Sequence, residues 1–140
     1  MRDIKINGAK NNLFDTKPVI QKLIDFAREE GFKIERLEYN FVDSEKMYSL
    51  NKDFLNHDTD TDIITFDYSK SKTIIAEVFL SNEMMIKNAS ENMQSIENEL
   101  FRLLSHGLLH CMGYKDNTLE DKAIMRKKEE EFIFAVSRET

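Results

Sequence analysis

The sequence predicts an α+β domain with a small, mostly mixed sheet, and two periodicities in the chain support this class. Residues alternate between polar and apolar, or form short β-branched and aromatic runs, in four segments of strand length. Apolar residues recur at helical spacing in several longer segments. Because helices outnumber strands and no repeat or linker divides the chain, we expect a single domain over residues 1–140.

Local signals mark the ends of the elements in the N-terminal part of the chain. Pro18 suits the first turn of a helix, where its missing N–H is not needed, and Gly31 suits the helix end. Asp43 or Ser44 can cap the next helix. The predicted elements are a strand at 3–7, a helix at about 17–30, a strand at 33–42 and a helix from 43 or 44 to about 55.

The C-terminal part has equally clear boundaries. Ser81 and Ser95 can each cap a helix, and Gly113 offers a left-handed residue that ends the second one. The segment 118–121 has the pattern of a capping box, which opens a last helix. The predicted elements are a loop at 57–62, strands at 63–68 and 73–80 joined by a turn at 69–72, and helices ending near 93, 112 and 137.

Composition and the cysteine count restrict the environment of the protein. The chain has 140 residues, of which 41% are hydrophobic, so a real core is expected. No apolar run is long enough to cross a bilayer, and the first residues lack the apolar stretch of a signal peptide. Cys111 is the single cysteine and cannot build a disulfide framework. We expect a soluble cytoplasmic protein with no membrane partner and no disulfide-linked partner.

The net charge of −6, from 26 acidic and 20 basic residues, argues against one class of binding. Wrapping of nucleic acid driven by counterion release needs a surplus of lysine and arginine. A local basic groove on an acidic body is still compatible with this composition. Charge alone therefore leaves the partner open.

A pair of histidines at helical spacing is the strongest chemical signal. His106 and His110 lie four residues apart on a predicted helix, so their rings share one face, one turn apart. Gly113 can end that helix and reverse the chain, which would bring Asp116 to the same point as a third ligand. The same ligand skeleton occurs in metzincin peptidases. Three protein ligands and one water are typical of catalytic zinc, so we predict a zincin-like metal helix used for hydrolysis.

Other interpretations of this stretch are less favoured. A single buried histidine is more often a core residue than a ligand, but a pair followed by a glycine turn and a carboxylate is rarely accidental. Two histidines and an aspartate also accept nickel, cobalt or iron, so zinc is the expected ion among several divalent metals. Gly107 stands where H-E-x-x-H peptidases place their glutamate base, which favours a different hydrolysis. Cys111 points about 100° away from His110 and is assigned to the core.

These residues resemble the metal motif of a bacterial family, the YbeY endoribonucleases. That motif is H-G-x-L-H-x-x-G-Y-D-H, and residues 106–116 read H-G-L-L-H-C-M-G-Y-K-D. Upstream, the family has L-N-x-x-[YF]-R-x-x-D-x-x-T-[DN]-V-L-S-F, and residues 50–66 read L-N-K-D-F-L-N-H-D-T-D-T-D-I-I-T-F. Residues 76–81, A-E-V-F-L-S, stand where the family has G-D-I-x-I-S. The order and spacing of the blocks agree across about residues 45–135.

The resemblance implies a fold, an activity and partners. The fold would be an α+β domain in which helices flank a four-stranded sheet, and the metal would be zinc. The activity would be metal-dependent, single-strand-specific cleavage of RNA in maturation of the 16S rRNA 3′ end and in ribosome quality control. The partners would be rRNA and ribosomal particles or ribosomal proteins.

Three positions depart from the family pattern. Asp116 replaces the third histidine; a carboxylate binds zinc at a similar distance, but its charge makes the ion a weaker Lewis acid. Leu55 stands in place of a functionally important arginine, so a phosphate clamp is missing there. Glu77 replaces an aspartate and keeps an acid near the sheet. We expect Asp116 to ligate the metal, and Glu77 to be a candidate for contact with substrate or with the metal ligands.

The loop before the third strand holds further candidates. His57 can supply part of the missing positive charge when it is protonated, or it is an exposed loop residue. Asp58 and Asp62 match family positions and can orient water or the histidine protons, or they only cap the loop.

Two alternatives to the nuclease stay open. One is a non-catalytic ribosome assembly factor with a structural metal, and the other is a metal-dependent hydrolase of another substrate. The charged run at 127–131 is interpreted as a solvated helix face and receives no functional role.

Overall fold

A computed structural model describes residues 3–8, 16–55 and 61–137 of the chain. The candidates His57 and Asp58 lie outside the described residues. The helices and strands confirm the predicted class and most of the predicted bounds. They are β1 (Asp3–Asn7), α1 (Thr16–Glu29), β2 (Lys33–Val42), α2 (Ser44–Leu55), β3 (Ile63–Asp67), β4 (Thr73–Ser81), α3 (Asn82–Glu91), α4 (Ile96–Cys111) and α5 (Leu119–Ser137).

The four strands form one mixed sheet in the order β1-β2-β4-β3. β2 is parallel to both of its neighbours, β1 and β4, whereas β3 is antiparallel to β4 and forms an edge. Parallel neighbours need a crossover connection, which α1 supplies between β1 and β2. The mixed sheet flanked by helices confirms the predicted fold.

The two faces of the sheet carry cores of different size. Side chains of a strand alternate between faces, so Val78 and Leu80 point to one face and Phe79 to the other. The first face packs against α1 and α4, and α5 packs on these two helices; together they hold the main core, which includes Leu37 and Tyr39 of β2. The second face carries a small cluster in which Met47 and Leu50 of α2 meet Ile64 of β3. α4, the helix that carries His106 and His110, therefore belongs to the main core.

The predicted caps are present and explain where the C-terminal helices begin. The Ser81 hydroxyl accepts a hydrogen bond from the Met84 N–H, and the Ser95 hydroxyl accepts one from the Asn98 N–H. Thr118 and Asp121 exchange backbone-to-side-chain hydrogen bonds, which is the capping box expected at the start of α5.

Left-handed residues end α3 and α4. α3 stops at Glu91, two residues before the predicted end near 93, because Met93 has a φ of 53°. Gly113 has a φ of 96°, and the Tyr114 N–H returns to the Leu109 carbonyl at 3.1 Å. This closing hydrogen bond reverses the chain after α4, as the glycine predicted. Over the described ranges, no helix combines the length and apolarity that a membrane span requires.

Candidate active site

α4 packs against the sheet at Gly107 and leaves its two histidines partly or fully exposed. Gly107 is buried, and a Cβ atom there would lie 3.4 Å from both methyl groups of Val78 on β4. The neighbouring His106 side chain is 19% exposed, and His110, one turn further on, is exposed. The helix therefore buries one side in the core and leaves both imidazoles accessible.

The chain reversal at Gly113 brings Asp116 back towards α4. A cavity of about 190 Å³ is lined by both His106 and Asp116. The remaining lining residues come from α4 and α5 and are Arg102, Lys122, Met125, Arg126 and Glu129. Two of the three predicted ligands thus share one cavity, and His110 follows His106 on the same helix.

The side chains of the three predicted ligands are not grouped around one point. In the parts of the chain that the structure describes, no three His, Cys, Asp or Glu side chains are grouped so that they could hold a metal ion. The chemistry of the donors nevertheless suits a divalent transition metal, because two imidazoles one turn apart and a nearby carboxylate are its usual ligands. The metal assignment therefore stays a prediction that rests on donor type and on the shared cavity.

The ring of His106 makes a short hydrogen bond with a buried carboxylate. Its Nδ1 atom lies 2.7 Å from Oε2 of Glu129, on α5. The Glu129 side chain is only 2% exposed. Since an ionised carboxylate can only accept, a neutral ring in this contact carries its proton on Nδ1 and its lone pair on Nε2. The free nitrogen is the one that a metal ion would use.

Arg102 links this carboxylate to two others. Its Nε donates to Glu99 Oε1 at 2.9 Å, and its Nη2 also pairs with Glu99 Oε2. Its guanidinium lies 3.6 Å from Glu129 and 3.9 Å from Asp62. Burial alone lowers the pKa of Arg102, but the hydrogen bond and charge of Glu99, with the charges of Glu129 and Asp62, raise it on balance above its usual value. Arg102 is therefore a permanent cation among three acids.

Asp62 reaches the histidine only through this network. Its Oδ2 accepts a hydrogen bond from the Asn88 side chain at 3.1 Å, and its carbonyl accepts one from the Ser81 N–H. The contact with Arg102 connects Asp62, just before β3, to α4. The carboxylate of Asp62 is linked to His106 only through Arg102 and Glu129 in turn.

Glu77 lies on the opposite face of the sheet from α4. It pairs with Phe66 on β3 and with Glu38 on β2, and its side chain alternates with that of Val78, which contacts Gly107. The structure therefore separates Glu77 from His106 by the thickness of the sheet. Any role of Glu77 would be indirect.

Cys111 is a core residue, as predicted. It is 7% exposed and lies beside Asp67 at the end of β3. Burial, followed by the charge and hydrogen bond of Asp67, raises the pKa of its thiol from 9.0 to about 12. The thiol is therefore protonated at neutral pH and is a poor metal ligand or nucleophile.

Comparison with known proteins assigns the chain to a family. The family model for endoribonuclease YbeY matches residues 3–137. This chain belongs to the YbeY endoribonuclease family. Endoribonuclease YbeY of Flavobacterium johnsoniae is 45% identical over 97 residues, which cover 69% of this chain and 70% of that protein. Endoribonuclease YbeY of Cytophaga hutchinsonii is 44% identical over 105 residues, which cover 74% and 73%.

A solved structure has the same fold. The solution structure of a Thermotoga maritima protein matches with a TM-score of 0.71 and covers 99% of this chain and 91% of its own. Its sequence identity is 23%, so the likeness supports the fold alone. The resemblance drawn from the motifs is confirmed, and the activity of the family is hydrolysis of RNA at internal positions.

One prediction about this YbeY-family chain was wrong. Residues 127–131 were expected to form a solvated face, but Glu129 is buried and bonded to His106. A sequence signal for this existed. Glu129 occupies a position of the apolar stripe of α5, whose other buried members are Met125, Phe132 and Val136. A glutamate within such a stripe needs a partner, because an unpaired buried carboxylate is costly.

Arg102 is a second residue near the cavity that the sequence motifs did not indicate. It precedes His106 by four residues and so lies on the same face of α4. Its position one turn before the first histidine was the available signal. Leu55, which replaces the family arginine, ends α2.

Proposed function

We propose that this chain is a zinc-dependent, single-strand-specific endoribonuclease of the cytoplasm that matures the 3′ end of 16S rRNA and acts in ribosome quality control. His106, His110 and Asp116 would hold the metal. Family membership supports the nuclease activity. The observation that carries the site is the cavity shared by His106 and Asp116, which come from different parts of the chain.

The residues around the cavity fit the chemistry of phosphodiester hydrolysis. A divalent ion bound here supplies Lewis-acid polarisation of a phosphate oxygen and a water of lowered pKa. His106 offers its Nε2 atom in a fixed orientation because Nδ1 is bonded to Glu129. Asp116 brings a negative charge where the family has a neutral imidazole, which reduces the net positive charge that the substrate meets.

Two cations of α5 favour an RNA phosphate at this cavity. Lys122 and Arg126 are four residues apart, so they lie on one face of α5, and both line the cavity. Both side chains are exposed and can reach a substrate. They supply positive charge in a chain that has Leu55 where the family has an arginine. This local basic edge is compatible with the overall charge of −6.

A cleavage assay tests the proposal. Wild type, His106→Ala, His110→Ala and Asp116→Ala are incubated with single-stranded RNA from the 3′ region of 16S rRNA, with zinc and with a chelator. We expect cutting by wild type and a loss of at least about a hundredfold in the histidine variants, because each removes a ligand. The exposed variant Lys127→Ala is the control. Equal cutting by folded wild type and His110→Ala would contradict the proposal.

A non-catalytic assembly factor is the second candidate. The leucine at position 55 and the acidic net charge favour it, since both weaken binding of phosphate. In that case the metal would stabilise the fold, and its removal would lower the free energy of unfolding without any RNA being cut. A chelator titration followed by urea denaturation separates the two candidates.

A peptidase of the H-E-x-x-H type is disfavoured by the packing of α4. Position 107 faces Val78 and Ile63 in the core, so a glutamate there would bury its carboxylate instead of reaching a water. The base of such a peptidase would have to come from another element.

A further inference from the structure

A buried ion network lies directly behind the proposed metal site. Glu99 and Glu129 are 1% and 2% exposed at their side chains, and Arg102 lies between them. Burying charges is costly unless each has a partner in good geometry. The network is therefore a specific arrangement and not a solvated charge cluster.

The network contacts the proposed ligand His106 through one hydrogen bond. Glu129 approaches Nδ1 of His106 at 2.7 Å. A carboxylate at this nitrogen fixes the rotation of the ring and selects the tautomer of the neutral imidazole whose Nε2 is free, held in one direction. The cavity with Asp116 is lined by the same His106 ring and by Glu129 itself.

The charges of the network favour a cation in front of it. Arg102 faces the carboxylates of Asp62, Glu99 and Glu129, and Nε of Arg126 lies 3.9 Å from Glu129, so three acids face two guanidinium groups. With the carboxylates ionised, this group carries more negative than positive charge. A positive ion near His106 would offset the surplus at short range.

We propose that Glu129 is a positioning residue for the metal ligand His106, and that Arg102 holds Glu129 in place for this role. The inference rests on the proposed function, since it assumes that His106 binds the ion. Glu129 does not touch the substrate. It acts by presenting Nε2 of His106 to the metal in one fixed direction.

Metal affinity is the first test, with Zn²⁺ alone as the probe. Glu129→Ala removes the acceptor, and Glu129→Gln keeps an oxygen that can accept from Nδ1. We expect Glu129→Ala to raise the Kd for Zn²⁺ by about 10- to 100-fold, and Glu129→Gln to restore part of that loss. Glu130→Ala, the exposed neighbour on α5, is the matched control and should bind as wild type does. Circular dichroism establishes that each variant is folded.

The tautomer of His106 is the second test, and it needs neither metal nor activity. Nitrogen-15 NMR of the metal-free wild-type chain should show the ring of His106 protonated at Nδ1 and not at Nε2. The Glu129→Gln chain should keep this tautomer, whereas Glu129→Ala should shift the ring towards a mixture of the two. Assignment of the signal is made with His106→Gln.

The outcomes separate this inference from the proposed function. Wild-type Zn²⁺ affinity and an unchanged tautomer in folded Glu129→Ala would overturn the positioning role and leave the nuclease intact. A wild-type chain that binds zinc through His106 but cuts no RNA would overturn the nuclease, while the affinity series would still support Glu129. A wild-type chain whose zinc binding is unaffected by His106→Ala would overturn the role of Glu129, because His106 would not be a ligand.

Discussion

Position 107 is where a single residue separates this site from the zinc peptidases. Gly107 follows the first histidine and lies against Val78 and Ile63. A Cβ atom would be 3.4 Å from Val78 and 3.6 Å from Ile63, which is ordinary van der Waals contact. Alanine therefore fits, but a longer charged side chain would enter the core. The gap excludes a long side chain but not a methyl group, and the residue needs no special backbone freedom, since it lies in mid-helix.

We predict opposite effects for two substitutions at this residue. Gly107→Ala should raise the free energy of unfolding by up to about 1 kcal/mol, because alanine favours the helix and no atom has to move far. Gly107→Glu should lower it by on the order of 3 kcal/mol, because a carboxylate would be buried without a partner. Urea denaturation measures both, and a stable, folded Gly107→Glu chain would contradict this reading of the packing.

At the scale of the element, α5 serves both the core and the site. One stripe of the helix buries Met125, Phe132 and Val136, and Glu129 interrupts that stripe to bond α4. A second face carries Lys122 and Arg126 to the cavity edge. The capping box at Thr118 sets where the helix begins. The helix thus orients the proposed ligand His106 through Glu129 and places two cations at the cavity where RNA would bind.

We predict that the cations of α5 govern substrate binding more than the chemical step. Lys122→Ala and Arg126→Ala should each raise the KM for single-stranded RNA several-fold, by about 1 kcal/mol of lost phosphate contact, with little change in kcat. Lys127→Ala, an exposed cation outside the cavity, is the control. Steady-state cleavage at two salt concentrations measures the effect. A KM in Lys122→Ala and Arg126→Ala equal to that in Lys127→Ala would contradict the prediction.

At the scale of the whole molecule, α4 is held on the sheet by apolar contacts and by a hydrogen bond from a buried tyrosine hydroxyl. Tyr39 on β2 is fully buried, and its hydroxyl donates to the Leu104 carbonyl of α4 at 2.7 Å. Burial, with a further contribution from Cys111, raises the pKa of Tyr39 well above 10.0. The folded chain therefore keeps this phenol neutral at pH values where an unfolded chain would ionise it.

The stability of the molecule should fall at alkaline pH for this reason. The contribution of neutral Tyr39 is fully present below about pH 10, the pKa of an unfolded tyrosine, and is lost as the pH rises through the higher folded value. Tyr39→Phe should lower the free energy of unfolding by about 1 kcal/mol at pH 7 and reduce its decline above pH 10. Denaturation at pH 7, 9 and 10.5 is the measurement, and parallel declines in the two chains would contradict it.

The sequence by itself determined the elements and the outline of the site. Strand alternation, the caps at Ser81 and Ser95, and the left-handed Gly113 act within a few residues, so the pattern of side chains is enough to place them. The two histidines share a helix face for the same local reason. The end of α3 was placed two residues too late, since a methionine takes the left-handed conformation there, and the ends of β3 and β4 differ by one residue.

Tertiary structure alone decided which residues from other elements contact those histidines and which do not. Glu129 contacts His106 across 23 residues, and the sequence showed only a glutamate within a charged run. The face on which Glu77 lies relative to α4 depends on which side of the sheet the helix packs, and alternation within the strand cannot fix this. Both are contacts between elements, set by burial of the whole core, whereas caps and periodicities are set by neighbours along the chain.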